Sequence, residues 1–389
     1  MLHPNKLRAA LDAKKETFSR AEANLLEDIS RLKAALQNLP SLSLAEIDAR
    51  LSAIPDPGAR PTQEQACFPS VVVPFLNTWT NKEESLAWAK TVLQGITTIA
   101  ADGSQIPPSK DLSIPVGVVQ VGWFENKHQP GGKYVKDIAC KVLGPEDLAE
   151  DEREEGGFPD WIINWKRFEM EVDCLAEYMD RHRYDAVKPL CFFDGSLVVS
   201  FAQHMLPERQ RRYTNAVQRL LNLSTETRIP LVGFVDTSYA NDLAVMLSHI
   251  YSYSIRRRVS DAALVNPLMK WGDRTQVYTC ARDDSVLDRY YDTIDFVYLK
   301  TSSEHPPARV EFPRWVYDEN QHERVLNLVR AECLIGNGYP YPCETVDAVA
   351  VLTMEDRDYF LKIFQEFAQD NHLSLRFSKK AISKRMRRG

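Results

Sequence analysis

The sequence predicts an α/β protein in which a mixed sheet is flanked by helices and preceded by a helical N-terminal extension. Three observations predict it. Leu11, Phe18, Leu25 and Leu32 recur every seven residues near the N-terminus. Three strand-like runs rich in Val and Ile follow one another between residues 96 and 144, and beyond them helical and strand-like periodicities alternate.

Taken in order, the heptad row is joined by Leu7, Ile29 and Leu36, with charges elsewhere, so the chain up to Pro40 reads as one long amphipathic helix. Its apolar stripe needs a partner, either the protein's own body or a second copy in a short coiled coil. "SLSLAEIDARL" reads as a second helix, with Ser43 as N-cap and Glu46 closing a capping box. The Pro, Gly and polar residues of "IPDPGARPTQ" mark a boundary. We divide the chain into a helical segment (1–60), a main domain (61–370) and a basic tail (371–389).

Within the main domain, "GITTIAADGS", "VGVVQVGWF" (Val116 to Phe124) and "KYVKDIACKVLG" (Lys133 to Gly144) read as three successive strands. "EDLAEDEREEGG" reads as a solvated acidic insertion. A helix from Trp161 to about Arg183 follows, its apolar face made by Ile162, Trp165, Phe168, Val172, Leu175 and Met179. Next come a strand at Leu190 to Phe193, a helix from Pro207 to Leu223, a strand in "IPLVGFVDTS" and a helix through Ala240 to Tyr251. Three strands, helix, strand, helix, strand, helix is the order of the ribonuclease H-like fold. The remainder reads as strands at "TIDFVYLK" and "PARVEFPRWV", a helix from His322 to Leu334, a short helix after "GYPYPCETVDAVAVLT" and a last helix from Glu355.

The 389 residues are 44% hydrophobic and 26% charged, as in an ordinary globular protein. A formal net charge of -6 gives no global attraction to nucleic acid or anionic membrane, so such a partner must be met by a local patch. Seven cysteines, an odd number with no C-x-x-C pair, point to reduced, mostly buried thiols and a cytoplasmic protein. The N-terminus lacks the apolar core of a signal peptide, and no run is long enough to span a bilayer, so no membrane partner is expected.

The tripeptide Asp-Gly-Ser occurs twice, at residues 102–104 and 194–196. A hairpin turn explains one such sequence, since glycine accepts positive φ and aspartate caps its own turn. Both, however, follow strand-like runs (Ile96 to Ala101, Leu190 to Phe193), and open α/β sheets keep their ligand sites at the C-terminal ends of strands. Metal-ion cleavage of a phosphodiester needs a few converging carboxylates, because hard cations take oxygen ligands. A ribonuclease H-like layout supplies them from the first strand, a following helix, the fourth strand and a late helix. Asp102 and Asp194 take the first and third of these places. Glu169, Glu171 and Glu177 are available on the helix; Glu171 falls nearest the apolar face, while the plain reading leaves all three as solvated helix glutamates. Asp236 ends the next strand, either facing substrate or, in the preferred reading, capping a helix that starts near Tyr239. The Ser104 and Ser196 hydroxyls suit phosphate contact but not nucleophilic attack, as no motif places a histidine to activate them. His128, His182 and His204 read as surface or packing residues.

"ADGSQI", "FFDGSL", "IPLVGFVDTS", "ARVEFPRW" and "GYPYPCETVDAVAVLT" resemble, in order, the motifs of the NurA nuclease family, from about Thr97 to about Phe360. The resemblance implies a ribonuclease H-like fold and a dimer dependent on manganese, with magnesium as the alternative. It implies a 5′-3′ exonuclease and endonuclease acting on single-stranded DNA and DNA ends. It also implies work beside a HerA-type hexameric ATPase in double-strand break processing. Carried over by motif, Asp102, Glu171, Asp194 and Asp347 are the expected catalytic and metal-binding residues. Asp347 stands where the family commonly has a histidine after YPYPL. Aspartate is itself a hard-metal ligand and preserves the site on one reading; on others it marks altered metal preference, lost activity, or simply a polar residue near a helix start.

Cations interleaved with tyrosines suit single-stranded DNA, whose phosphates need neutralising and whose bases stack. "PERQRRY" offers Arg211 and Arg212, "YSYSIRRR" offers Arg256, Arg257 and Arg258, and the tail ends in "KKAISKRMRR". The ordinary reading of such runs is a solvated face or a disordered arm. Two other functions compete with a nuclease. An actin-like-fold phosphotransferase would need Gly-rich phosphate-binding hairpins, which a chain with 16 glycines and with Pro107-Pro108 after the first tripeptide does not offer. A DNA-binding scaffold subunit with an altered site is the other.

Overall fold

A computed structural model describes residues 2–149, 160–255, 258–282 and 290–376. The acidic insertion falls mostly outside them, as does the tail beyond residue 376. The chain forms two compact units, one made of Met1–Ser85, Gly195–Val198 and Gly233–Arg324, the other of Leu86–Asp194, Val199–Val232 and Val325–Gly389.

The second unit carries the expected strand order. β1 (Thr98–Ile106), β2 (Gly117–Asn126) and β3 (Val135–Leu143) form an antiparallel meander. β4 (Leu190–Asp194) joins β1 in parallel, and β5 (Leu231–Val235), which begins in this unit, lies next to β4. The order β3-β2-β1-β4-β5 is that of a ribonuclease H-like sheet. Thr98 to Ala101 and Leu190 to Phe193 are buried without alternation, as strands covered on both faces must be. The cover includes α1 (Asp160–Arg181), which buries Ile162, Trp165, Phe168, Val172, Leu175 and Met179; α2 (Pro207–Thr227), which starts on its proline, packs beside α1. Later come α3 (His322–Ile335), which enters this unit at Val325, α4 (Tyr341–Ala350) and α5 (Met354–Asp370).

Several expected boundaries move. β1 does not stop at Ala101 but runs through Asp102-Gly103-Ser104 to Ile106, paired residue for residue with β2. α4 lies inside "GYPYPCETVDAVAVLT" rather than after it, because Pro342 sits in the first turn, where its missing N–H is no loss. The strand of "PARVEFPRWV" ends at Pro313, and Arg314–Asp318 is helical.

The first unit opens with two helices, not one: Pro4–Asp12 and Lys15–Asn38 are separated where Lys14 leaves helical geometry (φ -104°, ψ 2°). Leu7, Leu11 and Phe18 are exposed, whereas Leu32 and Leu36 are buried. Ser43 and Glu46 form the expected capping box at the helix Leu44–Leu51. Strands Gly58–Pro61, Tyr278–Ala281, Ile294–Leu299 and Ala308–Pro313 pair antiparallel in that order. Among the described residues no helix is long and apolar enough to cross a membrane. None of the seven cysteines is in a disulfide; Cys191, Cys280, Cys333 and Cys343 are buried, in keeping with mostly buried thiols, while Cys67 and Cys140 are exposed.

Candidate active site

The parallel pairing of β1 with β4 sets Ala101 opposite Phe193, so the next residues, Asp102 and Asp194, leave neighbouring strands at one level. Their charges act on each other. The Asp102 carboxyl is raised above the usual range, chiefly by burial; a hydrogen bond from the Gly103 N–H works against this, the Asp194 charge adds to it, and Asp347 contributes further. Asp194 is exposed, and the Tyr339 hydroxyl donates to its Oδ1 at 2.5 Å.

Glu171 comes from the buried face of α1. Burial lifts its pKa to about 7 against the opposing charge of Arg167, with Asp102 and Asp194 adding to the rise. One turn earlier, Arg167 Nη1 donates to Glu171 Oε1 and reaches the Gly103 carbonyl at 3.4 Å. Gly103 makes room for this pair: a Cβ there would lie 2.5 Å from Glu171 Oε1 and 2.7 Å from Arg167 Cγ. The other two glutamates stand apart. Glu169 accepts from Lys166 at 3.0 Å, and Glu177 is exposed in a cleft of about 740 Å³ with Arg181 and Arg219.

Asp347 lies on the exposed side of α4. That helix is seated on the sheet at Gly122, the partner of Asp102, where a Cβ would meet Val349 Cγ1 at 3.1 Å and the Ala350 nitrogen at 3.2 Å. Ser104 Oγ accepts the Leu352 N–H at 3.1 Å, tying the chain just past α4 to β1. Cys343 is buried, and its thiol is pushed up by burial and then by the Asp194 charge. Among the described residues, no group of three or more His, Cys, Asp or Glu side chains is gathered tightly enough to hold a metal ion.

Ser196 is structural, its hydroxyl donating to Glu311 Oε2 at 3.0 Å while accepting from the Val198 N–H at 3.1 Å. The N-cap reading of Asp236 is corrected: the helix begins at Asp242 after Asn241, and the exposed Asp236 accepts from Thr237 Oγ1 at 3.2 Å. His128 packs between the Ile96 carbonyl (2.7 Å) and the buried Glu332 (3.2 Å), and His182 lies 2.7 Å from Asp185. Arg211 is exposed on α2, and the Arg212 guanidinium sits 5.5 Å from the Trp161 ring centre. Arg258 is exposed in the first unit, where Tyr251 and Tyr253 stack at 5.9 Å. Arg256 and Arg257 lie outside the described residues.

Sequence reasoning missed Arg167 and Tyr339. A signal existed for each: Arg167 is four residues before Glu171, the spacing of a helical ion pair, and Tyr339 is the first tyrosine of the "GYPYP" motif.

Comparison with family models matches residues 96–352 to the NurA domain. No curated protein matches. Among solved structures, the chain resembles NurA with manganese at 10% identity, covering 70% of this chain and 89% of that one with a TM-score of 0.42. The catalytic domain of human endonuclease V matches at 14% identity, with 78% and 95% covered and a TM-score of 0.33. The Argonaute of Aquifex aeolicus matches at 12% identity, with 66% and 28% covered and a TM-score of 0.30. These likenesses are low, whereas the family match spans well over half of the sequence and takes in Asp102, Glu171, Asp194 and Asp347. The chain belongs to the NurA domain family.

Proposed function

We propose that the protein is a metal-dependent deoxyribonuclease that hydrolyses single strands and DNA ends during double-strand break processing, as a cytoplasmic homodimer beside a HerA-type ATPase. Membership of the NurA family supports a nuclease role. The observation that carries the reading is the pair Asp102 and Asp194, set at one level on adjacent parallel strands and each sensing the other's charge.

The donor types suit a hard divalent cation, although the four side chains are not drawn together tightly enough to hold one as they stand. All four candidates are carboxylates, and Asp102 and Glu171 are held above their ordinary range by burial and by mutual repulsion, which a cation relieves. Asp102, Asp194, Glu171 and Asp347 would hold manganese, or magnesium, which supplies charge stabilisation at the phosphoryl group and acidifies water. The protein's own groups prepare the place. Tyr339 fixes the orientation of Asp194, Arg167 keeps Glu171 against β1, and Ser104 ties the chain beyond α4 to the same strand. Arg211, Arg212 and Arg258, with Arg256, Arg257 and the basic tail, are the proposed phosphate contacts, each adding salt-dependent affinity. In this scheme residues 61–370 form the nuclease domain, and residues 1–60 serve dimer or partner contacts.

The test is end-labelled single-stranded and duplex DNA incubated with purified protein and manganese, then with EDTA. Products that vanish with EDTA and with Asp102→Ala are expected; no metal-dependent product, with or without the ATPase, overturns the enzyme reading. A second reading, a DNA-binding scaffold subunit, is favoured by the exposed Asp347 at the family's histidine position. It is distinguished in the same assay by retention of DNA without cleavage.

A further inference from the structure

We propose that Arg167 is a built-in competitor of the divalent cation, the residue that sets how tightly the metal binds. The inference rests on the nuclease reading of this site and deepens it. Glu171 is buried, and the cation placed against it is the guanidinium of Arg167. The same Nη1 reaches the Gly103 carbonyl, so the guanidinium is fastened to the strand that carries Asp102 as well as to Glu171. The absence of a Cβ at Gly103 leaves the space that the pair fills. Arg167 also acts favourably on the charges of both Glu171 and Asp102. It remains partly exposed, with 31% of its side chain accessible, so it can swing away while Glu171 stays buried.

A carboxylate oxygen that accepts from a guanidinium shares its lone pairs with nitrogen protons, and here Arg167 Nη1 takes Oε1 of Glu171. A cation that uses this oxygen, alone or with Oε2, must therefore displace Arg167, and the free energy of that ion pair is subtracted from metal affinity. Once displaced, the guanidinium stays beside the site, one helical turn from Glu171, where it suits a DNA phosphate. The arrangement couples metal occupancy to the release of an anion-binding group.

The experiment is a calorimetric titration of full-length protein with Mn²⁺ in the absence of DNA. Arg167→Gln keeps hydrogen-bond donors for Glu171 and removes the charge; it is expected to lower the Mn²⁺ Kd about tenfold. Arg167→Lys, which keeps the charge, is expected to stay within about twofold of the native protein. In the Glu171→Gln background, Arg167→Gln is expected to change the Kd by less than about twofold, since no ligand remains to compete for. An unchanged or weaker Kd in Arg167→Gln, with the native protein binding Mn²⁺ and Asp102→Ala not, overturns the competitor role and leaves the metal site standing. No Mn²⁺ binding by the native protein overturns the site reading itself. A second measurement needs no variant: the guanidinium NMR signals of Arg167 are expected to change from protected to freely exchanging on saturation with Mg²⁺, and unchanged signals count against displacement.

Discussion

The two Asp-Gly-Ser tripeptides are identical in sequence and opposite in structure. At residues 102–104 the tripeptide is the interior of a strand: Asp102, Gly103 and Ser104 pair with Gly122, Val121 and Gln120. At residues 194–196 it is a strand end: Asp194 closes β4, and Gly195 turns away with φ +143°, a conformation that L side chains rarely adopt. The glycines differ accordingly, one sparing room for a neighbouring ion pair and the other permitting a backbone turn. The serines differ too, since Ser104 accepts from the Leu352 N–H and Ser196 donates to the buried Glu311. Only the aspartates converge. A tripeptide therefore does not dictate its own conformation; the partner strand and the buried groups around it do.

The largest expected effect comes from what the two share. Asp102→Ala and Asp194→Ala should each lower DNA cleavage by at least about a thousandfold while leaving circular dichroism and the melting curve near native. A single variant that keeps activity would break the equivalence of the two aspartates.

The next effect concerns pH and belongs to the first tripeptide's surroundings. The Glu171 carboxyl has its pKa raised from 4.5 to about 7 in the folded protein. The folded state thus binds a proton that the unfolded chain has already lost, so this group's contribution is full below about pH 4.5 and disappears as pH rises through 7. In metal-free buffer Glu171→Gln should match the native protein near pH 4 and exceed it at pH 8 by up to about 3 kcal/mol. Denaturant unfolding at the two pH values checks this, and a constant difference would contradict it.

Smaller effects separate the glycines and serines. Gly195→Ala should cost about 1–2 kcal/mol of stability through backbone strain. Gly103→Ala should instead weaken Mn²⁺ binding several-fold, because a Cβ 2.5 Å from Glu171 Oε1 pushes the ligand itself off β1, a loss that outweighs the loosening of its bond to Arg167. Ser196→Ala, which strips a donor from a fully buried carboxylate, should destabilise by about 1–2 kcal/mol, and Ser104→Ala by no more than about 1. Equal losses at both serines would erase the contrast. Least of all, Asp236→Asn should change cleavage by less than about threefold, in keeping with an exposed residue bonded only to its neighbour among the described contacts.

Much of this is legible in the sequence. Strands buried on both faces read as unbroken apolar runs, which located β1 and β4 and the aspartates that follow them. The apolar face of α1 pointed to Glu171 rather than Glu169 or Glu177 for the same reason, since helical periodicity fixes which side meets the sheet. What was not legible depends on long-range pairing. An Asp-Gly-Ser sequence looks like a turn, and only β2 lying alongside keeps β1 extended to Ile106. The bond between Tyr339 and Asp194 joins residues 145 apart in sequence, beyond the reach of any local pattern. "GYPYP" reads as a helix breaker until Pro342 is seen in the first turn of α4, where proline begins a helix instead of ending one.

The most direct measurement is anomalous diffraction from crystals of the native protein soaked in Mn²⁺. A peak within coordination distance of carboxylate oxygens from both Asp102 and Asp194 is the result this account expects. A peak that touches neither, or none at full soaking, would contradict it.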